Sequence, residues 1–173
     1  KRIDSTDMGY IQFNGDNNTY GMEFGTNNDE KFAEFKRNGS VILYYDNGER
    51  FRTNNAGSKV TGELKVTGNI TAFTSDIRLK TDIEPIKNAL EKVQSIRGFT
   101  YSHNETAKEL GFKDERRWSG VSAQEIEKVL PEAVFPSPVD DKYLTVQYEK
   151  LVPLLIEAIK ELKTEIDELK NKK

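Results

Sequence analysis

The chain has 173 residues and a net charge of −3, with 35% apolar residues, 32% charged residues, no cysteine, one histidine and one tryptophan. That is room for one ordinary domain or two small ones, with a modest core whose stability leans on burial between chains as well as within one. The counts exclude a disulfide framework, a thiol nucleophile and thiolate or multi-histidine metal sites; they make a Ser-His-Asp triad a thin prospect and give no general attraction to nucleic acid.

No apolar run approaches membrane-spanning length and no signal-peptide pattern is present, so neither a membrane nor a cofactor is expected as a partner. The opening Lys1-Arg2-Ile3-Asp4 resembles an internal cut point and suggests a fragment of a longer protein.

Residues 1–74 hold nine of the twelve glycines and no proline. Residues 1–56 read as a β-rich fibre tip of short strands between turns: Tyr10–Phe13, a turn at Asn14–Asn18, Tyr20–Phe24, a turn at Arg37–Ser40, Val41–Tyr45 and a turn at Asp46–Gly48. The Asn-Gly pairs are hairpin signals, because type I′ turns need positive φ at both central residues. In 57–74, Val60, Leu64, Val66, Ile70 and Ala72 fall on alternate positions, with Gly62 and Gly68 in the same phase. So thin an apolar face cannot bury itself alone. It suits a β-shaft in which several chains wrap round one axis.

Residues 75–173 carry all five prolines and most of the helical patterning. Glu84–Val93 places Ile86, Leu90 and Val93 on one helical face, with Pro85 near the first turn and Gly98 as the stop. Phe99–His103 alternates like a strand, and Asn104–Arg117 reads as a polar loop. Ser122-Ala123-Gln124-Glu125 has the form of a capping box opening a helix through Leu130, closed by Pro131. A turn at Asp140-Asp141 and a short strand Tyr143–Val146 lead into a helix over about 147–170, with Pro153 in its first turn or at a kink. Val152, Leu155, Ile159, Leu162, Ile166 and Leu169 are spaced 3, 4, 3, 4, 3, a heptad seam with charged flanks. The bland alternative packs this stripe on its own domain. Beyond Leu162 the domain has little apolar sequence left to cover it, which points to partner helices.

At the boundary, Ser75 and Lys80 could be a nucleophile and its base. The lysine must then be neutral, which needs its pKa lowered from about 10.4 toward 7–8 by burial or a nearby cation such as Arg78. Residues five apart face opposite sides of a strand and lie about 140° apart on a helix, so the two meet only across a turn or between chains. As a bare pattern this is weak: roughly one Ser-x4-Lys is expected by chance in such a chain, and Ser137 with Lys142 is a second. The bland reading makes Ser75-Asp76 a turn and Lys80 a solvated charge.

Three segments in order change that weighting: Ser75–Ile86 (Ser-Asp-Ile-Arg-Leu-Lys-Thr-Asp-Ile-Glu-Pro-Ile), Gly120–Val134 and Leu144–Leu162. Together they closely resemble the intramolecular chaperone auto-processing domain found at the C-terminus of bacteriophage tailspikes, tail fibres and neck appendages. The resemblance implies an α+β fold: a β-rich tip and triple-β stalk, then a small α+β domain over 75–173 ending in a coiled-coil-like helix, in a homotrimer. It also implies that the domain drives association of the preceding shaft and then releases itself. Ser75 would be the nucleophile and Lys80 the base, with the cut at Thr74–Ser75 or alternatively at Ser75–Asp76. Asp76, Arg78, His103, Gln124 and Glu125 are candidate supporting residues, although His103 also reads as a surface or satisfied polar group. The mature part would belong to the virion tail, where a host receptor is a compatible partner, and the released domain to the host cytoplasm. The rival reading is a non-catalytic trimerisation cap.

Overall fold

The structure, a computed structural model, describes residues 9–14, 21–26 and 30–172. It divides into two compact units, Lys1–Thr74 and Ser75–Lys173. In the first, β1 (Gly9–Asn14), β2 (Gly21–Thr26), β3 (Lys31–Lys36), β4 (Val41–Tyr45), β5 (Gly48–Asn54) and β6 (Gly57–Val60) form one antiparallel sheet in sequence order.

The turns fall where asparagine and glycine cluster, but asparagine and aspartate take the strained angles. Asn38 has φ 52° between β3 and β4; Asp46 and Asn47 have φ 50° and 54° between β4 and β5. Gly48 is already paired with Tyr45. The turn centre therefore sits one residue upstream of the expected Asn-Gly pair, because short polar side chains tolerate left-handed backbone. The turn expected at Asn14–Asn18 lies largely outside the described residues.

Strand register sorts the side chains onto two faces. On one, Ile11 opposes Phe24, Phe13 opposes Met22 and Met22 opposes Phe35; Ala33 opposes Leu43, Phe35 opposes Val41, Leu43 opposes Phe51 and Phe51 opposes Val60. None of these is charged. On the other, Gln12 opposes Glu23, Glu23 opposes Glu34, Glu34 opposes Ile42, Ile42 opposes Arg52 and Arg52 opposes Lys59.

The polar face is the better covered. Ile42 is fully buried there, and Glu34 is 9% exposed. Lys31 reaches Glu34 at 2.7 Å and Glu23 at 3.1 Å, Lys36 reaches Glu34 at 3.2 Å, and Arg52 pairs with Glu49. Burial pushes the Glu34 carboxyl up, but the bonds from Lys31, Lys36 and Tyr44 outweigh it and hold its pKa below the ordinary value. The apolar face is open, with Phe13 at 77% and Ile11 at 60% exposure.

Gly57–Val60 pairs with β5, so the segment expected to begin a separate stalk at residue 57 starts, within one chain, as the sixth strand. Residues 62–74 form neither strand nor helix and are exposed throughout.

The second unit is α+β and ends in a long helix. Its helices are α1 (Ala89–Gln94), α2 (Glu105–Glu109), α3 (Ala123–Val129) and α4 (Leu151–Asn171). Two antiparallel ribbons pair β7 (Gly98–Tyr101) with β8 (Trp118–Val121), and β9 (Val134–Pro136) with β10 (Leu144–Val146). The core is small: Ala89, Leu154 and Ala158 are buried between α1 and α4, flanked by Ile86, Leu90, Val93, Ile96 and Leu130.

Several local expectations need correction. The helix expected over Glu84–Val93 begins only at Ala89, because Asn88 is left-handed (φ 53°) and breaks the path from Pro85. Gly98 opens β7 instead of ending that helix; Ser95 does so. The polar run 104–117 contains α2, capped by the Asn104 side chain on the Ala107 N–H. The last helix starts at Leu151, after a 3-10 turn over Tyr148–Lys150, and Pro153 sits in its first turn without a kink.

Along α4, Leu151, Leu154, Ala158 and Glu161 form the face turned to the domain. One residue further round, the predicted seam is open: Val152 51%, Leu155 47%, Ile159 66%, Leu162 43%, Ile166 39% and Leu169 64% exposed. Packing within the domain therefore uses a neighbouring stripe, not the heptad seam. The Glu161 carboxylate also accepts from the N–H groups of Ala89 (2.9 Å) and Leu90 (2.8 Å), supplying the α1 cap that Asn88 does not.

Candidate active site

Ser75 is the first residue of the second unit. From it the chain makes a short 3-10 turn, Ile77–Leu79, with Asp76 as N-cap. The turn has clear local causes. The Asp76 carboxylate accepts from the Arg78 N–H at 2.9 Å, its carbonyl accepts from the Leu79 N–H at 3.1 Å, and the Lys80 N–H closes onto the Ile77 carbonyl at 3.2 Å. Ser75 and Lys80 thus stand at the two ends of one tight turn. The Lys80 Nζ donates to the Ser75 Oγ at 2.8 Å. Of the two ways in which residues five apart can meet, the chain uses the turn.

The electrostatics differ from the simple expectation. The Arg78 guanidinium does not stand beside Lys80 as a lone cation. It is bound to the Asp76 carboxylate through Nε at 3.0 Å and Nη2 at 2.6 Å. The Arg78 side chain and its backbone N–H hold the Asp76 carboxyl below its ordinary pKa, with Lys80 adding to the effect. Asp76 therefore offsets the charge that was expected to discharge the lysine. Ser75 and Lys80 are both exposed in the single chain.

The residue two before Ser75, Phe73, has φ 60°. A bulky side chain there costs on the order of 1–2 kcal/mol. Such strain is typical of segments held by their surroundings or awaiting them.

The other candidate residues lie in different surroundings. His103 stacks on Phe112 (5.1 Å between ring centres) and meets Tyr101 and Trp118 edge-on or tilted, so it belongs to an aromatic cluster. Ser122 is the N-cap of α3, but the reciprocal capping-box bonds are absent. The Glu125 carboxylate is taken instead by Arg97, through the backbone N–H at 3.0 Å and Nε at 2.7 Å, and its pKa is lowered by both. Gln124 accepts from the Ser122 hydroxyl at 3.1 Å. Gln124 lines a cleft of about 470 Å³ with Phe99, Tyr101, Tyr143 and Tyr148. Sequence reasoning overlooks the roles of Arg97 and Glu161; both act across dozens of residues, and no local pattern announces either.

Residues 75–135 match a peptidase family model described as the chaperone of endosialidase. The chain is also similar to Long tail fiber protein Gp37 of Enterobacteria phage K3, 37% identical over 145 residues, which is 79% of this chain and 11% of that protein. The protein of the same name from Enterobacteria phage T2 is 36% identical over 145 residues, 79% of this chain and 10% of its own length. That from Enterobacteria phage M1 is 41% identical over 98 residues, 56% of this chain and 38% of its length. The chain thus spans about a tenth of the length of the first two relatives.

Proposed function

We propose that this chain, whose residues 75–135 match the family model described as the chaperone of endosialidase, is the C-terminal intramolecular chaperone of a phage long tail fibre. It assembles three chains through α4, aligns the β-structure before it, and then releases itself by cutting at Ser75. The observation that carries the proteolytic part is the 2.8 Å contact between the Lys80 amine and the Ser75 hydroxyl, made across a turn built by Asp76. The observation that supports assembly is the open heptad seam from Val152 to Leu169.

The chemistry follows from these groups. A neutral Lys80 takes the Ser75 Oγ proton as Oγ attacks the Thr74 carbonyl. The tetrahedral adduct collapses with loss of the Ser75 nitrogen, which receives the proton back from the Lys80 ammonium. An ester then joins the Thr74 acyl group to Oγ, leaving a free amine on Ser75. Water hydrolyses the ester, yielding a Thr74 carboxylate and the restored hydroxyl. Cutting at Ser75–Asp76 is the alternative bond.

Lys80 is exposed in the single chain, so the neutral amine requires desolvation by neighbouring chains. Cleavage is then gated by assembly. Interwound β-shafts rest on non-local contacts that form slowly, and a module that gathers three chain ends first raises their local concentration. Cleavage afterwards leaves the fibre part in the virion tail and frees the domain in the host cytoplasm.

The test compares wild type with Ser75→Ala and Lys80→Ala on denaturing gels, with intact masses. Fragments 1–74 and 75–173 from wild type alone support the reading. One uncut band from all three, in a trimeric sample, replaces it with a non-catalytic cap.

A further inference from the structure

The sequence has three Asn-Gly pairs, and the structure describes both residues of two of them, Asn38-Gly39 and Asn47-Gly48. Asparagine followed by glycine can react with its own backbone, because a glycine nitrogen has no neighbouring Cβ to keep it from the asparagine side chain. Both asparagines are exposed and take the same left-handed backbone, with φ 52° at Asn38 and 54° at Asn47. Local conformation therefore does not separate the two pairs. Their partners do.

The Asn47 carboxamide oxygen accepts from the Lys31 N–H at 2.7 Å, a tie to a strand 16 residues away. Gly48 is half-buried and already paired with Tyr45 as the first residue of β5. Asn38 has neither restraint. Its carboxamide makes no hydrogen bond among the described residues. Gly39 is exposed and belongs to no strand; its N–H donates to the Lys36 carbonyl at 3.1 Å within the same turn. Opening one bond in an exposed turn costs less than opening a strand ladder. Asn38 and Gly39 also line an open polar cleft of about 690 Å³ with Ser40, Thr53 and Asn55, so water reaches the amide.

We propose that Asn38-Gly39 is a site of self-modification, converting to aspartate or isoaspartate, and that the fold protects Asn47-Gly48 from the same reaction. The Gly39 nitrogen attacks the Asn38 Cγ. A new N–Cγ bond forms, the Cγ–Nδ2 bond breaks, and the Gly39 proton leaves with the amide as ammonia. Water then opens the five-membered imide. Cleavage of the N–Cγ bond gives aspartate; cleavage at the Asn38 carbonyl carbon gives isoaspartate, whose backbone runs through the former side chain. Either product adds one negative charge to a chain whose net charge is −3. Isoaspartate also lengthens the turn that sets the register of β3 on β4. The site lies in the first unit and is independent of the chemistry at Ser75.

The test follows the full chain over days at mildly alkaline pH, folded and in denaturant, with peptide mapping by mass spectrometry. The mass gain of an amide-to-acid exchange is read at each asparagine, and isoaspartate is separated from aspartate by chromatography. In the folded chain Asn38 should convert about fivefold or more faster than Asn47, the scale of one retained hydrogen bond. In denaturant the two rates should come within about twofold, because the Lys31 tie and the β5 pairing are then gone. Asn38→Gly, which keeps a residue suited to positive φ, should remove the fast component and leave Asn47 unchanged. Equal conversion at both sites in the folded chain, faster conversion at Asn47, or no conversion at Asn38 while the denatured chain reacts would each overturn the proposal. A twofold or smaller preference that persists unchanged in denaturant would also overturn it, since the fold would then play no part.

Discussion

In α4 two apolar stripes run side by side, one covered by α1 and one open; in the N-terminal sheet two faces lie back to back, one closed by its own ion pairs and one open. The covered surfaces differ in kind. The helix closes over Ala89, Leu154 and Ala158, whereas the sheet closes over Glu34, Lys31 and Arg52 around a single buried isoleucine. The open surfaces are alike: both are apolar, and both are as ordered in register as any core. The contrast teaches that in each unit the covered surface and the most regular apolar surface are different ones.

The largest expected effect lies at the junction. Lys80→Arg should abolish cleavage as completely as Lys80→Ala, because guanidinium stays protonated and cannot act as a base; intact mass after long incubation checks this. Cleavage by Lys80→Arg at the wild-type rate would remove the lysine from the mechanism.

Next comes the pair of neighbouring leucines on α4. Leu154→Ala should destabilise the second unit by about 2–5 kcal/mol whatever the chain concentration. Leu155→Ala should leave a monomer nearly unchanged and weaken association instead. Denaturant melts at several concentrations, with sedimentation, separate the two. Equal effects from both would dissolve the distinction between covered and open stripes.

A smaller effect is expected at Glu161. Glu161→Ala removes the acceptor for the Ala89 and Leu90 N–H groups. Those two amides should lose hydrogen-exchange protection, with partial recovery in Glu161→Gln, while amides of the N-terminal sheet stay unchanged.

The smallest is a pH effect. Glu161 is held below its ordinary pKa by the Leu90 and Ala89 N–H groups, and Glu34 by the lysines and Tyr44 despite its burial. A carboxyl depressed on folding contributes stability that is present above its unfolded pKa and lost as pH falls through the folded one. Melting temperature should therefore hold near neutrality and fall below about pH 4.3. Glu34→Gln should flatten part of that fall.

How much was legible in the sequence follows the range of the interactions. The α+β character with a long last helix and the need for a turn between Ser75 and Lys80 both rest on spacing, and spacing is local. The hairpins were visible too, although aspartate and asparagine took the positive angles expected of an Asn-Gly pair. The hidden features depend on distant partners. The capping-box sequence at Ser122 does not form its bonds because Arg97, 28 residues from Glu125, holds the carboxylate. The cap of α1 comes from Glu161, 72 residues from Ala89. The charge expected of Arg78 beside Lys80 is offset by its neighbour Asp76, a local pairing that sequence alone left open.

The most direct measurement is a cleavage time course, by intact mass, of wild type beside Leu162→Glu/Ile166→Glu at equal chain concentration, with sedimentation on the same samples. Two residues on the open seam are changed, and neither Ser75 nor Lys80 is touched. Wild type should be trimeric and give fragments 1–74 and 75–173, while the variant stays monomeric and whole. A monomeric variant that cuts as fast as wild type would contradict the account, because the lysine would then lose its proton without help from any neighbour.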